Sequence, residues 1–313
     1  MRFVFKKGCT LIMTLLIVSL LAFLAFNLIP GDPVTKMLGT SATAEKAEAL
    51  REELGLNRPV LLRYFHWLTS FLRGDFGISY SYQMPVQGMI AEKLPITVIL
   101  TILSFLMTLL VSLPLGILTG SSERPLTGHI SLILDQICMA VPPFFLGILM
   151  LWLFGNVLRL FTPGAFVPLS ESISGCLRCL FLPSLAMAVP RSAMTVRMLR
   201  GSIQAEQKEN YVLTARSRGE TKGQILRRHV LRNAMIPTVT FLAQSAAEIM
   251  TGTIIIEQVF TIPGIGRLLL SSIGNRDFPV VLAIVVMMAA WIVTVNFLAD
   301  VINAALDPRV RLR

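Results

Sequence analysis

The sequence predicts an all-α membrane protein with about six transmembrane helices and a small folded cap between the first and second of them. Three observations lead there. Across 313 residues the chain is 54% hydrophobic and 15% charged, with a mean hydropathy of +0.70, more apolar surface than a soluble domain of this length can bury. Apolar runs of bilayer length recur along the chain. Lysines and arginines gather between those runs, which is how membrane topology sorts them. The net charge of +10 therefore reads as topological, with lipid headgroups and not nucleic acid as its counterpart. Cys9, Cys138, Cys176 and Cys179 are too scattered for a disulfide framework.

The first run, Cys9 to Ile29, follows Arg2, Lys6 and Lys7. It exceeds the ~7–15 residues of a signal-peptide core, is about long enough to cross a ~30 Å hydrocarbon layer, and is followed by no A-x-A cleavage pattern, so it reads as helix one. The stretch from Pro30 to Pro95 is too long for an unstructured connection and carries two helix signatures. Thr43 can N-cap a helix ending near Gly55, and Pro59 sits at a plausible N1 position before LLRYFHWLTSFLRG. Tyr64, Phe65, Trp67 and Phe71 of that second helix suit a membrane interface or packing on the bundle equally well. Further spans read from about Pro95 to Leu118, Ile130 to Leu153, Leu180 to Leu199, Met235 to Ile256 and Pro279 to Ile302. Pro114, the Pro142-Pro143 pair, Pro183 and Pro190 fall inside spans, where neighbouring helices or cavity water can satisfy the freed backbone groups. The expected organisation is residues 1–94 as first helix plus cap, 95–306 as core, and 307–313 as a tail.

Orientation follows from the basic residues. The N-terminal cluster, Arg124, the series from Arg191 to Arg232, and Arg309, Arg311 and Arg313 fall on one side, and most of the remainder lie in the long 30–95 stretch, where acidic residues balance them. Both termini are expected to be cytoplasmic.

Chemistry-bearing motifs are lacking. There is no G-x-x-x-x-G-K-[ST] phosphate loop, no H-E-x-x-H, no G-x-S-x-G and no dinucleotide-binding glycine pattern, while His66, His129 and His229 lie in different loops. No catalysis, no ATP site and no cofactor is expected. The informative segment is the basic loop from Glu209 to Pro237, NYVLTARSRGETKGQILRRHVLRNAMIP from Asn210 onward, helical in tendency and interrupted by Gly219 and Gly223. On charge alone it could merely enforce topology; its composition also suits a docking element.

This loop resembles the EAA-type loop of ABC importer permeases, with Leu213, Thr214 and Ala215 at the E-A-A positions and Gly219 at the following glycine. Leu213 departs from the Glu of the general pattern. The T-A-R-x-x-G and R-H-x-L-R-N-A elements are similar to those of the oligopeptide, dipeptide and nickel branch. The resemblance extends along the chain through GDP at Gly31–Pro33, LGL with its proline at Leu54–Pro59, GDFGIS at Gly74–Ser79, LP at Leu182–Pro183, IIIEQVFTIPGIGRLL at Ile254–Leu269, NRDFPV at Asn275–Val280, and ADVINAALDPRVR at Ala299–Arg311. It implies a type I ABC importer permease fold in a prokaryotic inner membrane, a second related permease subunit, two cytoplasmic ATPase subunits and an extracytoplasmic solute-binding protein. Thr214, Ala215, Arg216, Gly219, Arg228, His229, Asn233 and Pro237 would form the ATPase-coupling loop, with a short helix somewhere in Thr214–Ile225 as the rigid lever.

For the translocation path, Gln244, Glu248 and Gly252 recur every four residues and so share one helix face, and Glu248 is taken as the one ionisable side chain well inside a span. Asn296, Asp300 and Asn303 read as interhelical or boundary groups. Cargo is expected to be nickel, free or chelated, or small peptides, with nickel favoured by the similarity of the NRDFPV and NAALDPRVR segments to nickel-type permeases. Cys176 and Cys179 form a lone C-x-x-C pair, which is weak support for a metal site. A secondary transporter is the competing class, although ion-coupling groups and inverted repeats are not evident in the sequence.

Overall fold

A computed structural model describes residues 2–28, 34, 38, 43–53, 55, 57–122, 125–162 and 164–306. Among the sequence features above, Gly31–Pro33, Leu54, Leu56, Arg124 and the 307–313 tail lie outside the described residues. The described chain is helical: α1 (Arg2–Leu28), α2 (Ala44–Glu53), α3 (Val60–Leu72), α4 (Val86–Ser121), α5 (Pro125–Ala140), α6 (Pro143–Met150) with a π-helical extension over Leu151–Val157, α7 (Ile173–Glu206), α8 (Asn210–Ser217), α9 (Lys222–Ile225), a π-helical turn over Leu226–Val230, α10 (Leu231–Val259), α11 (Ile265–Gly274) and α12 (Phe278–Leu306). The only β pairing among the described residues is the isolated bridge between Ile78 and Pro85.

Among the described residues five helices are long and apolar enough to cross a bilayer, or six if the pair Gly128–Ala140 and Pro143–Val157, bent by 93° at its break, counts as one span. That bend corrects the expectation of a continuous third span. Pro143 has no N–H to donate into the preceding turn and Pro142 is held extended at φ −61°, ψ 142°, so α5 cannot run on into α6. The remaining spans are longer than their apolar runs. The second begins at Val86 and passes through Pro95, because polar Glu92 and Lys93 in its first turns interrupt hydropathy but not helix. The fourth extends to Glu206, so Arg191, Arg197 and Arg200 are helix residues and not loop charges.

α4 and α7 pack along most of their length. α4 presents to the bundle a buried stripe of small residues, Thr97, Thr101, Ser104, Thr108, Ser112, Gly116 and Gly120, at helical spacing. Such residues let helix backbones approach in the absence of a hydrophobic driving force between helices in lipid. Thr101, Ser104 and Thr108 donate to the carbonyls of Thr97, Leu100 and Ser104 at 2.8, 2.7 and 2.8 Å, so these hydroxyls are satisfied within their own helix. Lower in the same bundle, buried Arg200 donates to Ser131 Oγ at 2.7 Å and lies 3.2 Å from Asp135, tying α7 to α5.

The segment before the second span is built against α1 and α12. Thr43 caps α2 through its Oγ1, 3.4 Å from the amide of Lys46, and Pro59 takes the N-cap position of α3, one residue earlier than expected. Tyr64 is buried and shares a 2.9 Å hydrogen bond with Ser19 of α1. Phe23, Tyr64, Trp67, Phe71 and Phe76 form a continuous ring cluster. Packing on the bundle thus takes three of the four aromatics of α3, while Phe65 stays 60% exposed. Lys7 and Asp300 pair at 2.7 Å, which brings the beginning of α1 and the end of α12 to the same end of the bundle.

The turn after α3 is anchored by one carboxylate. Asp277, fully buried ahead of α12, accepts from Ser79 Oγ at 2.5 Å, Tyr80 N–H at 3.0 Å and Ser81 N–H at 3.2 Å. The GDFGIS and NRDFPV motifs, 197 residues apart between Tyr80 and Asp277, are therefore two halves of one contact. Asp277→Asn, which replaces one accepting oxygen by a donor, is expected to weaken this anchor by about 1–3 kcal/mol. Hydrogen exchange should then speed up at Ser79–Tyr82 while α7 stays protected; unchanged protection at Ser79–Tyr82 contradicts it.

Candidate functional site

Three arrangements define the functional architecture: a cap at one end of α10, a locked loop at the other, and a charged face between them.

At the C-terminal end of α10, Glu257 is fully buried. Its Oε2 accepts the backbone N–H groups of Gly266 at 2.7 Å and Arg267 at 3.1 Å, while Thr97 Oγ1 donates to Oε1 at 2.5 Å and itself accepts the N–H of Ile265 at 2.9 Å. The amides left without partners at the start of α11 are thus satisfied by a side chain from α10 and one from α4. A carboxylate also suits the partial positive charge, about half an elementary charge, at a helix N-terminus. The glycines of the I-P-G-I-G segment follow from this: a Cβ on Gly264 would collide with the Glu257 carboxylate, and one on Gly266 with the Ile254 backbone. Sequence reading passed over Glu257, although a lone Glu followed by closely spaced glycines in an apolar run was the available signal.

At the other end, residues 207–230 fold into two short helices where one lever was expected. Gly219, at φ +84°, stops α8: its N–H bonds the Arg216 carbonyl at 2.9 Å and the N–H of Glu220 bonds that of Ala215 at 3.2 Å. This left-handed helix stop favours glycine. Thr221 then opens α9 with a reciprocal capping box to Gln224. Ala215 is buried with Val212, Ile225, Val230 and Ala234 against Leu199 and Ile203 of α7. Thr214, Arg216, Gly219 and Arg228 are exposed, together with Leu213. Two acidic residues that the sequence reading did not single out lock the element: Glu206 accepts from Tyr211 Oη at 2.6 Å and from Asn233 at 3.3 Å, and Glu220 lies 3.2 Å from His229. Burial, followed by the bond to Glu206, pushes the Tyr211 phenol up to about 12. Pro237 belongs instead to the interior of α10.

Between these ends, Glu248 forms an ion pair with Arg191 of α7, both near the midpoints of their helices. The Glu248 side chain remains 56% exposed. Gln244, one turn away, is exposed too, and Gly252 is half-buried near Met187. Glu248 is therefore not the one ionisable group within the spans, as Asp135, Arg191, Arg200 and Glu257 lie there as well; it is a partnered charge on an open face. Cys176 is buried and Cys179 Sγ lies 3.1 Å from the Ala165 carbonyl. Among the described residues no three His, Cys, Asp or Glu side chains gather as a metal site, and His66, His129 and His229 sit on separate helical segments.

A family profile for the binding-protein-dependent transport system inner membrane component matches residues 112–312, and its N-terminal counterpart matches residues 1–101. The chain belongs to this family. It is an ABC importer permease, and the loop and spans described above are those of a permease subunit. It is 35% identical over 98% of both chains to a Brucella abortus protein provisionally named as a peptide transport system permease. It is 33% identical over the full length of both chains to the glutathione transport system permease protein of Salmonella choleraesuis. In fold it is similar to the permease of the MetNI methionine ABC transporter, solved facing inward, with a TM-score of 0.57 and 17% identity over 70% of this chain and 96% of that one. The fold is that of type I importer permeases.

Removing the Glu257 carboxylate leaves two buried amides without an acceptor at about 1–3 kcal/mol each. Glu257→Ala and Gly264→Ala are both expected to lower the thermal unfolding midpoint of the purified permease complex, with Glu257→Gln intermediate; three wild-type midpoints contradict the assignment. Because the Tyr211 pKa is raised in the folded chain, folding favours its protonated form. That contribution is complete below the ordinary tyrosine value of about 10 and disappears as pH rises toward 12. Burial also raises the Tyr80 phenol, so alkaline difference absorbance should show more than one phenol ionising late, and Tyr211→Phe should remove one phenol's amplitude from that phase.

Proposed function

We propose that this permease forms one half of the membrane channel of an importer for short peptides, pairing with a second related permease. Two ATPase subunits, separate from this chain, drive it from the cytoplasm, and a solute-binding protein delivers cargo from outside. The observation that carries the reading is the locked α8–α9 element. Its exposed side, Leu213, Thr214, Arg216 and Arg228 around Gly219, is free for a docking partner, and its buried side is continuous with α7 and α10. Displacement of such an element moves both spans as a unit, which is what a lever must do. Ala215 supports the lever from its buried side, His229 and Asn233 brace it through Glu220 and Glu206, and Pro237 lies beyond it in the span that moves.

In this reading Gln244, Glu248 and Gly252 face the translocation path, since a charged pair at mid-span is costly against lipid and tolerable against water or a partner. Both termini lie on the cytoplasmic side with the lever, in keeping with the Lys7–Asp300 pair. Residues 43–86 then form an extracytoplasmic cap, anchored by Asp277.

Peptides are favoured over nickel, the cargo expected from the sequence. The relatives are named for peptide and glutathione transport, and the Glu248 carboxylate on the open face is already neutralised by Arg191, which makes it a poor site for a free dication. Nothing in the structure favours a secondary transporter. Uptake of labelled dipeptide and of labelled nickel in cells with and without this chain separates the two cargoes: dipeptide uptake should vanish with the chain and nickel uptake should not. Nickel uptake that depends on this chain, without peptide uptake, would overturn the assignment.

An added Cβ at Gly219 meets no atom within 4 Å, so a side chain there projects into the docking space as well as straining a positive φ. Gly219→Ala, which adds strain of about 1–2 kcal/mol, is expected to reduce uptake partially, and Gly219→Trp to abolish it while the permease still reaches the membrane. Normal uptake by Gly219→Trp counts against the lever.

A further inference from the structure

We infer that Arg191 and Glu248 form an exchangeable ion pair that takes the two charged ends of a zwitterionic peptide during passage, the carboxylate on Arg191 and the ammonium on Glu248. This deepens the peptide reading and rests on it. The pair joins α7 to α10 near the middle of both spans, yet its carboxylate is more than half exposed. It differs in this from two other charged clusters within the bundle. Asp135 and Arg200 are 9% and 6% exposed and share Ser131, and Glu257 is enclosed by hydrogen bonds to Thr97, Gly266 and Arg267. Those groups are spoken for. The Arg191–Glu248 pair alone of these is open on one side, and Gln244 lies one turn along the same open face.

Charge balance explains why such a pair suits this cargo. A buried or partly buried ion pair is costly to break when one partner is left alone. A zwitterion does not leave either alone: it replaces one internal pair with two intermolecular ones, so the occupied channel stays as neutral as the empty one. The same exchange reverses on release, which keeps the site from becoming a trap. A cation without an accompanying anion would neutralise Glu248 only by stranding Arg191.

The face next to the pair fits the rest of a peptide. Arg191, Met194 and Met198 recur at helical spacing on α7, and Met194, Met198 and Met139, with Phe241 of α10 and Arg197, line an open cleft of about 510 Å³ toward the lever end. Unbranched thioethers repack around different shapes and recur on binding surfaces that accept many partners. Fixed charges for the ends and a deformable wall for the side chains recognise the class of short peptides without selecting a sequence.

The test uses the assembled transporter with its binding protein, ATPases and partner permease in proteoliposomes, and two probes: a labelled dipeptide with free ends and the same dipeptide amidated at its C-terminus. Wild-type transporter should prefer the free form. Arg191→Gln should lower uptake of the free dipeptide by about tenfold or more, equivalent to ~1.4 kcal/mol, while the amidated form, which no longer strands a guanidinium, is not lowered, so that the preference collapses. Glu248→Gln should lower both, since both retain the ammonium, and Glu248→Asp should recover most of the loss. A pair that merely braces the helices would give equal losses for the two probes in Arg191→Gln, and unchanged uptake would remove any role; either result overturns the exchange. Failure of the wild-type transporter to move either dipeptide would instead refute the peptide reading on which the exchange rests.

Discussion

The Glu257 carboxylate is the contact on which the half of this permease around α11 depends. In a bundle whose helices gain little from hydrophobic contact with one another, unsatisfied backbone groups decide what can stand where. α11 is a short helix begun inside the protein, and its first amides would be orphaned without an acceptor. Glu257 supplies one from α10 and Thr97 joins it from α4, so a single hydrogen-bonded cluster fixes three helices. Gly264 and Gly266 are consequences of that choice, since the acceptor sits where side chains would otherwise be. Asp277 does a related job a few residues later, holding the turn at Ser79–Ser81 to the start of α12.

The two ends of α10 are thus treated in opposite ways. At Glu257 a desolvated charge is surrounded by fixed donors, which makes the junction stiff. At the α8–α9 element the acidic groups Glu206 and Glu220 brace the fold from its flanks while its basic and apolar outer side is left open. In the proposed function, a stiff far end and a braced near end would let a push on α8 be carried by α7 and α10 as rigid bodies instead of being absorbed by local bending. The 93° break between α5 and α6 lies off this axis, where two prolines interrupt the helix.

Between the ends, the permease separates structural charge from accessible charge. Arg200 with Asp135 and Glu257 with its donors are closed. Arg191 with Glu248 is open to the face on which Gln244 also lies. The physical requirement for this difference is simple: a charge that holds helices together must exclude water, and one that handles solute must admit it.

The sequence by itself determined the class of protein. Long apolar runs showed a polytopic helical bundle, and the ordered motifs carried a resemblance that the family profiles and relatives support. It also located Thr43 as a helix start and Gly219 as an interruption, because caps act over a few residues and leave a readable pattern. Contacts between distant segments were not legible. That Ser79 meets Asp277, that Glu206 receives Tyr211 and Asn233, that Glu257 caps α11 and that Glu248 is partnered by Arg191 were decided only by tertiary structure. The reason is that hydropathy averages over windows and cannot register a charge whose cost is removed by a partner far away in the chain. Arg191 and Arg200 looked like loop charges for that reason, and α7 looked shorter than it is. A charged residue within a span is legible only once its counterpart is in place.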